Sequence, residues 1–167
     1  PISTHRSSSA ASDVYKRQEK GFGIWSAEFT QGYTPGMTGM DRWIDWEKDQ
    51  FIGQSAALKE RDGNGPSQKL VMLEVEASDA DASGYEPVWN NDNLVGFVTS
   101  GGYGHTVNKS LAMALINSDL AQEDQNLKVH VVGVEKDAKV IQMSPYDPEG
   151  SVMLSLIHIS EPTRLSA

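Results

Sequence analysis

Cysteine is absent from the 167 residues, which removes disulfides, thiolate metal sites and cysteine nucleophiles at once. Cations are scarce: 14 Lys+Arg stand against 23 Asp+Glu, a formal net charge of −9. Nucleic acid as the main partner would need clustered cations for its phosphates, and anionic membranes attract basic segments, so neither is expected here. No apolar run approaches the ~18 residues of a membrane-spanning helix. The stretch from Pro1 to Ser12 lacks the basic-then-apolar layout of a secretory signal. A cytoplasmic protein is expected, or a mitochondrial matrix protein if the source is eukaryotic. No nucleophile elbow or phosphate loop occurs, and Gly101-Gly102-Tyr103-Gly104 is not a dinucleotide fingerprint.

What is there centres on residues 95–112. Val95, Phe97 and Val98 have the β-branched and aromatic bias of a strand. Gly101, Gly102 and Gly104 follow, and a second strand begins near Lys109. The glycines serve either a tight barrel corner or the close approach of a ligand to the main chain. Leu111-Ala112-Met113-Ala114-Leu115-Ile116 is a continuous apolar run, the pattern of a strand buried on both faces. Short strands at regular spacing are expected over 69–76, 86–89, 94–100, 110–116, 127–132 and 138–143, which predicts a β-barrel or sandwich. Val71, Leu73 and Val75 alternate with Met72, Glu74 and Glu76 as in a half-buried strand. Residues 89–94 read as a hairpin whose Asn and Asp tolerate left-handed dihedrals. Residues 78–84 read as an acidic, mobile loop, and 117–125 as a link with room for one helical turn.

Before the strands, residues 19–29 are aromatic and punctuated by glycine, so an extended segment is expected. Residues 31–36 read as a turn, with Pro35 pushing Thr34 toward extended geometry. Residues 39–46 read as a strand or irregular passage. Residues 51–61 form the best helix, stopped by Gly63 and Gly65-Pro66 and anchored by Phe51, Ile52 and Leu58.

The two ends carry a different signal. Asp13-Val14-Tyr15-Lys16-Arg17-Gln18 and Leu154-Ser155-Leu156-Ile157-His158-Ile159 are unrelated as peptides. Codons for the first, however, reverse-complement to codons for the second, and that DNA is similar to a transposon end used in sequencing adapters. Residues 1–18 and 154–167 are therefore expected to be non-native flanks, with no role for His5, His158, Lys16 or Arg17.

Glu19-Lys20-Gly21, Thr34-Pro35, Gly39-Met40-Asp41 and the run Phe51-Ile52-Gly53-Gln54-Ser55-Ala56-Ala57-Leu58 resemble the second half of the glycine-cleavage-system T protein (aminomethyltransferase) superfamily. Glu86-Pro87-Val88-Trp89, the stretch Gly96 to Tyr103, and Lys109-Ser110-Leu111-Ala112 are similar to its C-terminal barrel, and Tyr146-Asp147-Pro148 to its closing segment. The form around Thr99-Ser100-Gly101-Gly102-Tyr103 looks nearest to dimethylglycine or sarcosine dehydrogenases. The resemblance implies a mainly β fold with a little α. An antiparallel C-terminal barrel over 66–153 would follow the tail of an α+β folate-binding domain over 19–65.

The resemblance also implies an enzyme that passes the one-carbon unit of an N-methylglycine to tetrahydrofolate, with FAD only in N-terminal domains missing from this chain. On that reading the fragment alone would not turn over, and it holds no catalytic residue of its own. The superfamily's cysteine-containing iron–sulfur assembly signature is absent. A stand-alone aminomethyltransferase and a non-catalytic barrel are the two alternatives.

A folate site needs a carboxylate for the pterin edge, aromatic faces, and cations or backbone N–H groups for the glutamate tail. Glu19, Trp25 and Tyr103 are the cofactor-binding candidates that the resemblance supplies. Against these roles, Glu19 could cap a neighbour, Trp25 could be core, and Tyr103 could pack on its corner. Glu28 reads as a solvated charge and Lys109 as a strand-start lysine at the rim. His105 reads as a surface or hydrogen-bonding residue and His130 as solvent-facing. The two histidines share no acidic ligand at a set spacing, so no metal site is expected.

Overall fold

A sheet that closes on itself leaves no strand edge unpaired, and six short strands achieve that here. The computed structural model describes residues 16–152. Its strands are β1 (Gln68–Val75), β2 (Pro87–Asn90), β3 (Asn93–Gly104), β4 (Lys109–Asn117), β5 (Asn126–Val131) and β6 (Val134–Ile141). They close in the order β1-β4-β3-β2-β5-β6, with β6 returning to β1, and every pairing is antiparallel. The barrel interior is filled by small and branched side chains: Val71, Leu73 and Val75 of β1, Ala112, Ala114 and Ile116 of β4, Leu127, Val129 and Val131 of β5, and Val140 of β6.

The apolar run of β4 is buried on both faces, as its composition predicts. Its alternate residues Leu111 and Met113 point outward and join Met72 in a second cluster, packed with Leu70, Val107, Ile141 and Met143. Met72 therefore does not face water. The alternation expected for β1 holds on its inner face and fails on the outer one, because β4 and the segment after β6 cover it.

Two bulges shape β2 and β3. One lies between Val88 and Trp89, the other between Val98 and Ser100. The second leaves Thr99 out of the ladder, where its hydroxyl donates to the Met113 carbonyl at 3.1 Å. One extra residue reverses the alternation, so Val98 sits in the barrel interior while Ser100, paired with Met113, lies on the outer layer. The glycines do not make a corner. Gly101, Gly102 and Gly104 are ladder residues of β3, and the turn is 105–108. A Cβ on Gly101 would stand 2.3 Å from the Ala82 carbonyl oxygen, so the glycine admits the 78–84 loop. That loop is pinned rather than mobile: Ala82 is buried in the core, Asp81 accepts from Ser110 at 2.7 Å, and Asp79 pairs with Lys136 at 2.9 Å.

The pre-barrel residues differ more from expectation. Residues 16–20 are helical and 25–28 form turns, where an extended segment was expected. Thr34 is extended, as its place before a proline requires, and caps helix α1 (Pro35–Thr38) by accepting from Met37 N–H at 3.3 Å. Asp41–Trp43 is a 3-10 turn, not a strand. Helix α2 (Gln54–Asp62) begins after Gly53, whose φ of 86° no other residue adopts readily. Ile52 does not anchor it and is fully exposed.

A strap ties this region to the chain's far end. Tyr146 N–H donates to the Glu19 carbonyl at 3.0 Å, and Lys20 bonds both the Asp147 carbonyl and its carboxylate. Burial pushes the Asp147 carboxyl up, but the Val152 N–H, the Ser151 hydroxyl and Lys20 outweigh it and hold it below its ordinary value. A carboxyl whose folded pKa is depressed supports the fold above its ordinary pKa near 3.8 and loses that support as pH falls through the folded value. Amide exchange of Tyr146 should therefore quicken relative to β4 as pH falls below the ordinary value near 3.8, an effect that Asp147→Asn removes.

The hairpin joining β5 and β6 places Val132 at φ 50° and Gly133 at φ 79°, the pair of positive dihedrals that a two-residue turn between twisted strands demands. A β-branched residue there is strained, and Val132 is 76% exposed, so it gains little by burial. Val132→Asn should raise stability by about 1 kcal/mol, read as a higher melting temperature.

Candidate functional site

Glu19 and Glu28 are buried acids among the described residues, and each is placed by the glycine-rich end of β3. Glu19 lies on the helical turn of 16–20 and reaches the 105–108 turn. Its carboxylate accepts from Thr106 N–H, from the Thr106 hydroxyl at 2.9 Å and from Val107 N–H at 3.2 Å. A Cβ on Gly104 would stand 3.1 Å from the Glu19 side chain, so the absence of one there lets the carboxylate in. Three donors engage it, and its observed work is to close the β3–β4 turn.

Glu28 is fully buried, not solvated. It accepts from Ile24 N–H at 2.8 Å and from the Ser100 hydroxyl at 2.6 Å, while Gln18 donates to the same hydroxyl at 2.7 Å. The Thr99 bulge presents Ser100 to this network. One Gln18 oxygen has no donor. Sequence reasoning missed Glu28 because an isolated acid among aromatics reads as surface. The available signal was its spacing, since a carboxylate four residues after Ile24 can accept that residue's N–H when the chain turns.

Tyr103 meets His105 edge to face at 5.1 Å and lines a groove of about 810 Å³ with the 74–81 segment, Asn108, Lys109 and Ser110. Glu74, Glu76, Asp79 and Asp81 make that groove acidic, and its one lysine, Lys109, is held by Glu74 at 2.5 Å. The hydrogen bond and charge of Lys136 hold Asp79 below its ordinary pKa, so it stays anionic at neutral pH. Such a groove repels carboxylates and phosphates.

Trp25 stands apart, 73% exposed and not core. Glu19 and Tyr103 are thus brought to the same end of β3, but neither Glu19 nor Trp25 lines the groove that Tyr103 does. His130 lies on the outer face, opposite Val129 and Val131 as expected, and is partly covered there: it stacks on Trp89 at 5.4 Å and lies 3.6 Å from Glu135. Among the described residues no group of three His, Cys, Asp or Glu is arranged to hold a metal ion.

Residues 68–147 match the family described as the glycine cleavage T-protein C-terminal barrel domain. The barrel belongs to that family. Human mitochondrial dimethylglycine dehydrogenase is 34% identical over 127 residues, covering 75% of this chain and 14% of that protein. The aminomethyltransferase of Synechocystis sp. is 32% identical over 134 residues, covering 80% of this chain and 36% of its own length. Among solved structures, the glycine cleavage system aminomethyltransferase T of Bartonella henselae superposes with a TM-score of 0.75 at 24% identity. That likeness, one of fold, covers 83% of this chain and 39% of the other. The chain thus spans about a seventh of the dehydrogenases and about a third of the aminomethyltransferases it matches.

If Glu19 serves the turn, Glu19→Ala leaves two N–H donors unpaired and should cost about 2–3 kcal/mol. Glu19→Gln, which keeps one acceptor, should cost less. Thermal unfolding gives the size, and faster amide exchange confined to Thr106 and Val107 gives the place.

Proposed function

We propose that this chain is the closing part of a folate-dependent one-carbon enzyme. The parent protein passes the one-carbon unit of an N-methylglycine to tetrahydrofolate, as a dimethylglycine or sarcosine dehydrogenase would. The observation that carries the reading is the barrel match over residues 68–147 together with relatives of both kinds, dimethylglycine dehydrogenases and aminomethyltransferases. The small share of each relative that the chain spans supports treating 19–65 as the end of a folate-binding domain and 66–153 as the barrel domain. FAD belongs to the N-terminal part of the parent on this reading, and the protein works in the cytoplasm or the mitochondrial matrix.

Glu19, Trp25 and Tyr103 remain the proposed folate contacts. Of these, Trp25 has the most free surface to offer a pterin or benzoyl ring, whereas the Glu19 carboxylate is already engaged. A stand-alone aminomethyltransferase is the second reading, since those relatives match about as long a stretch at about the same identity. A Gly-x-Gly-x-x-Gly strand-to-helix motif upstream in the parent gene would decide for the flavoenzyme.

The chain alone is expected to show no dimethylglycine-dependent dye reduction, and the intact parent protein to bind tetrahydrofolate. Calorimetric titration of the parent checks the second expectation. Absence of binding there, or turnover by the chain alone, would overturn the reading.

A further inference from the structure

Acids outnumber cations in this protein, so a lysine on the barrel finds a carboxylate easily. Lys109, Lys128, Lys136 and Lys139 each have one, in Glu74, Glu135, Asp79 and Asp124. Lys69, on β1, is the exception: among the described residues no carboxylate lies within salt-bridge distance of it. Arg42 is likewise without one, and its guanidinium lies 5.4 Å from the Trp43 ring. Both cations line one cleft of about 340 Å³ between the pre-barrel segment and the barrel. Its apolar wall includes Met37, Leu70 and Met143. A second cavity of about 190 Å³ shares Gly36, Asp41 and Lys69 with the first and adds the Trp46 ring, which carries Arg61 on its face at 4.5 Å. Lys69 therefore stands where the two lobes meet.

We propose that this two-lobed cleft binds an organic carboxylate with an apolar or aromatic body, the carboxylate seated by Lys69 and Arg42. Apolar walls with a few charges are the usual make-up of a small-molecule site; here Met37, Leu70 and Met143 are half-buried and the two cations stand at the exposed rim. Asp41 and Glu60 offset two of the three cations of the two lobes, Arg42, Arg61 and Lys69. The remaining charge suits a single carboxylate better than a phosphate dianion. The groove at Tyr103 is lined by four acids and disfavours a carboxylate head, so it and this cleft differ in charge. The inference does not depend on folate chemistry, and its failure leaves the proposed function intact.

The probe is 4-phenylbutyrate, titrated into the whole chain and followed by amide shifts at Met37, Met40, Arg42 and Leu70 and by Trp46 indole N–H. Shifts at these positions should saturate below about 10 mM, and the interaction should weaken in high salt. Lys69→Met, which keeps the apolar stem and sits at an exposed position, should weaken binding at least tenfold, and Arg42→Gln severalfold. The neutral alcohol 4-phenylbutanol should bind at least tenfold more weakly than the acid. Inorganic phosphate, lacking the apolar body, should shift few of these amides. The proposal is overturned if no saturable shifts appear, if neither variant weakens them, if the alcohol matches the acid, or if phosphate does.

Discussion

The constraint from which the rest follows is that β4 is buried on both faces. A closed barrel gives each strand one dry face without further help, but the outer face of β4 carries Leu111, Met113 and Leu115 and needs a cover. At ~25 cal/mol per Å² of apolar area, three such side chains would cost several kcal/mol if left in water. Met72 of the neighbouring strand, with Val107, Ile141 and Met143 around it, supplies that cover for Leu111 and Met113. Residues 18–28 and 143–147 then have to run over the barrel, because Met143 can hold its place only if the chain around it is tied down.

The ties are polar, which explains where the buried charges lie. Glu19 closes the β3–β4 turn, Glu28 reaches Ser100, and Lys20 grips Asp147. A buried carboxylate is costly unless its oxygens are satisfied, and for Glu19 and Glu28 backbone N–H groups and hydroxyls satisfy them instead of cations. The Thr99 bulge belongs to the same arrangement. Without the extra residue, Ser100 would point into an apolar barrel and Glu28 would lose its partner. Glu19, singled out as a ligand by resemblance, therefore has a structural reason to be where it is.

The barrel was legible in the sequence because its signals are local. The β4 run, the alternation of β1 and the Asn-rich β2–β3 turn each lie within a few residues. The start of β6 was missed, because Glu135-Lys136-Asp137 reads as a charged loop. It is a strand because Lys128, across from it, pairs with Glu135, and Asp79 reaches over to Lys136. The glycine stretch was misplaced as a corner, since close approach by Ala82 depends on a loop some twenty residues earlier in the chain. Glu28, expected in solvent, is buried for the same reason. No pattern within residues 19–29 says which side faces β3.

That last failure points to what separates the two halves of the chain. Every fully buried hydrophobic side chain among the described residues lies between Val71 and Val140. From residue 18 to 65 the buried residues are Gln18, Glu19 and Glu28, all polar, while Phe22, Trp25, Trp43 and Ile52 are exposed. A segment that buries its polar groups and exposes its aromatics does not offset the entropy of its own ordering by apolar burial. It keeps its shape by leaning on the barrel through the bonds of Glu19, Lys20 and Glu28.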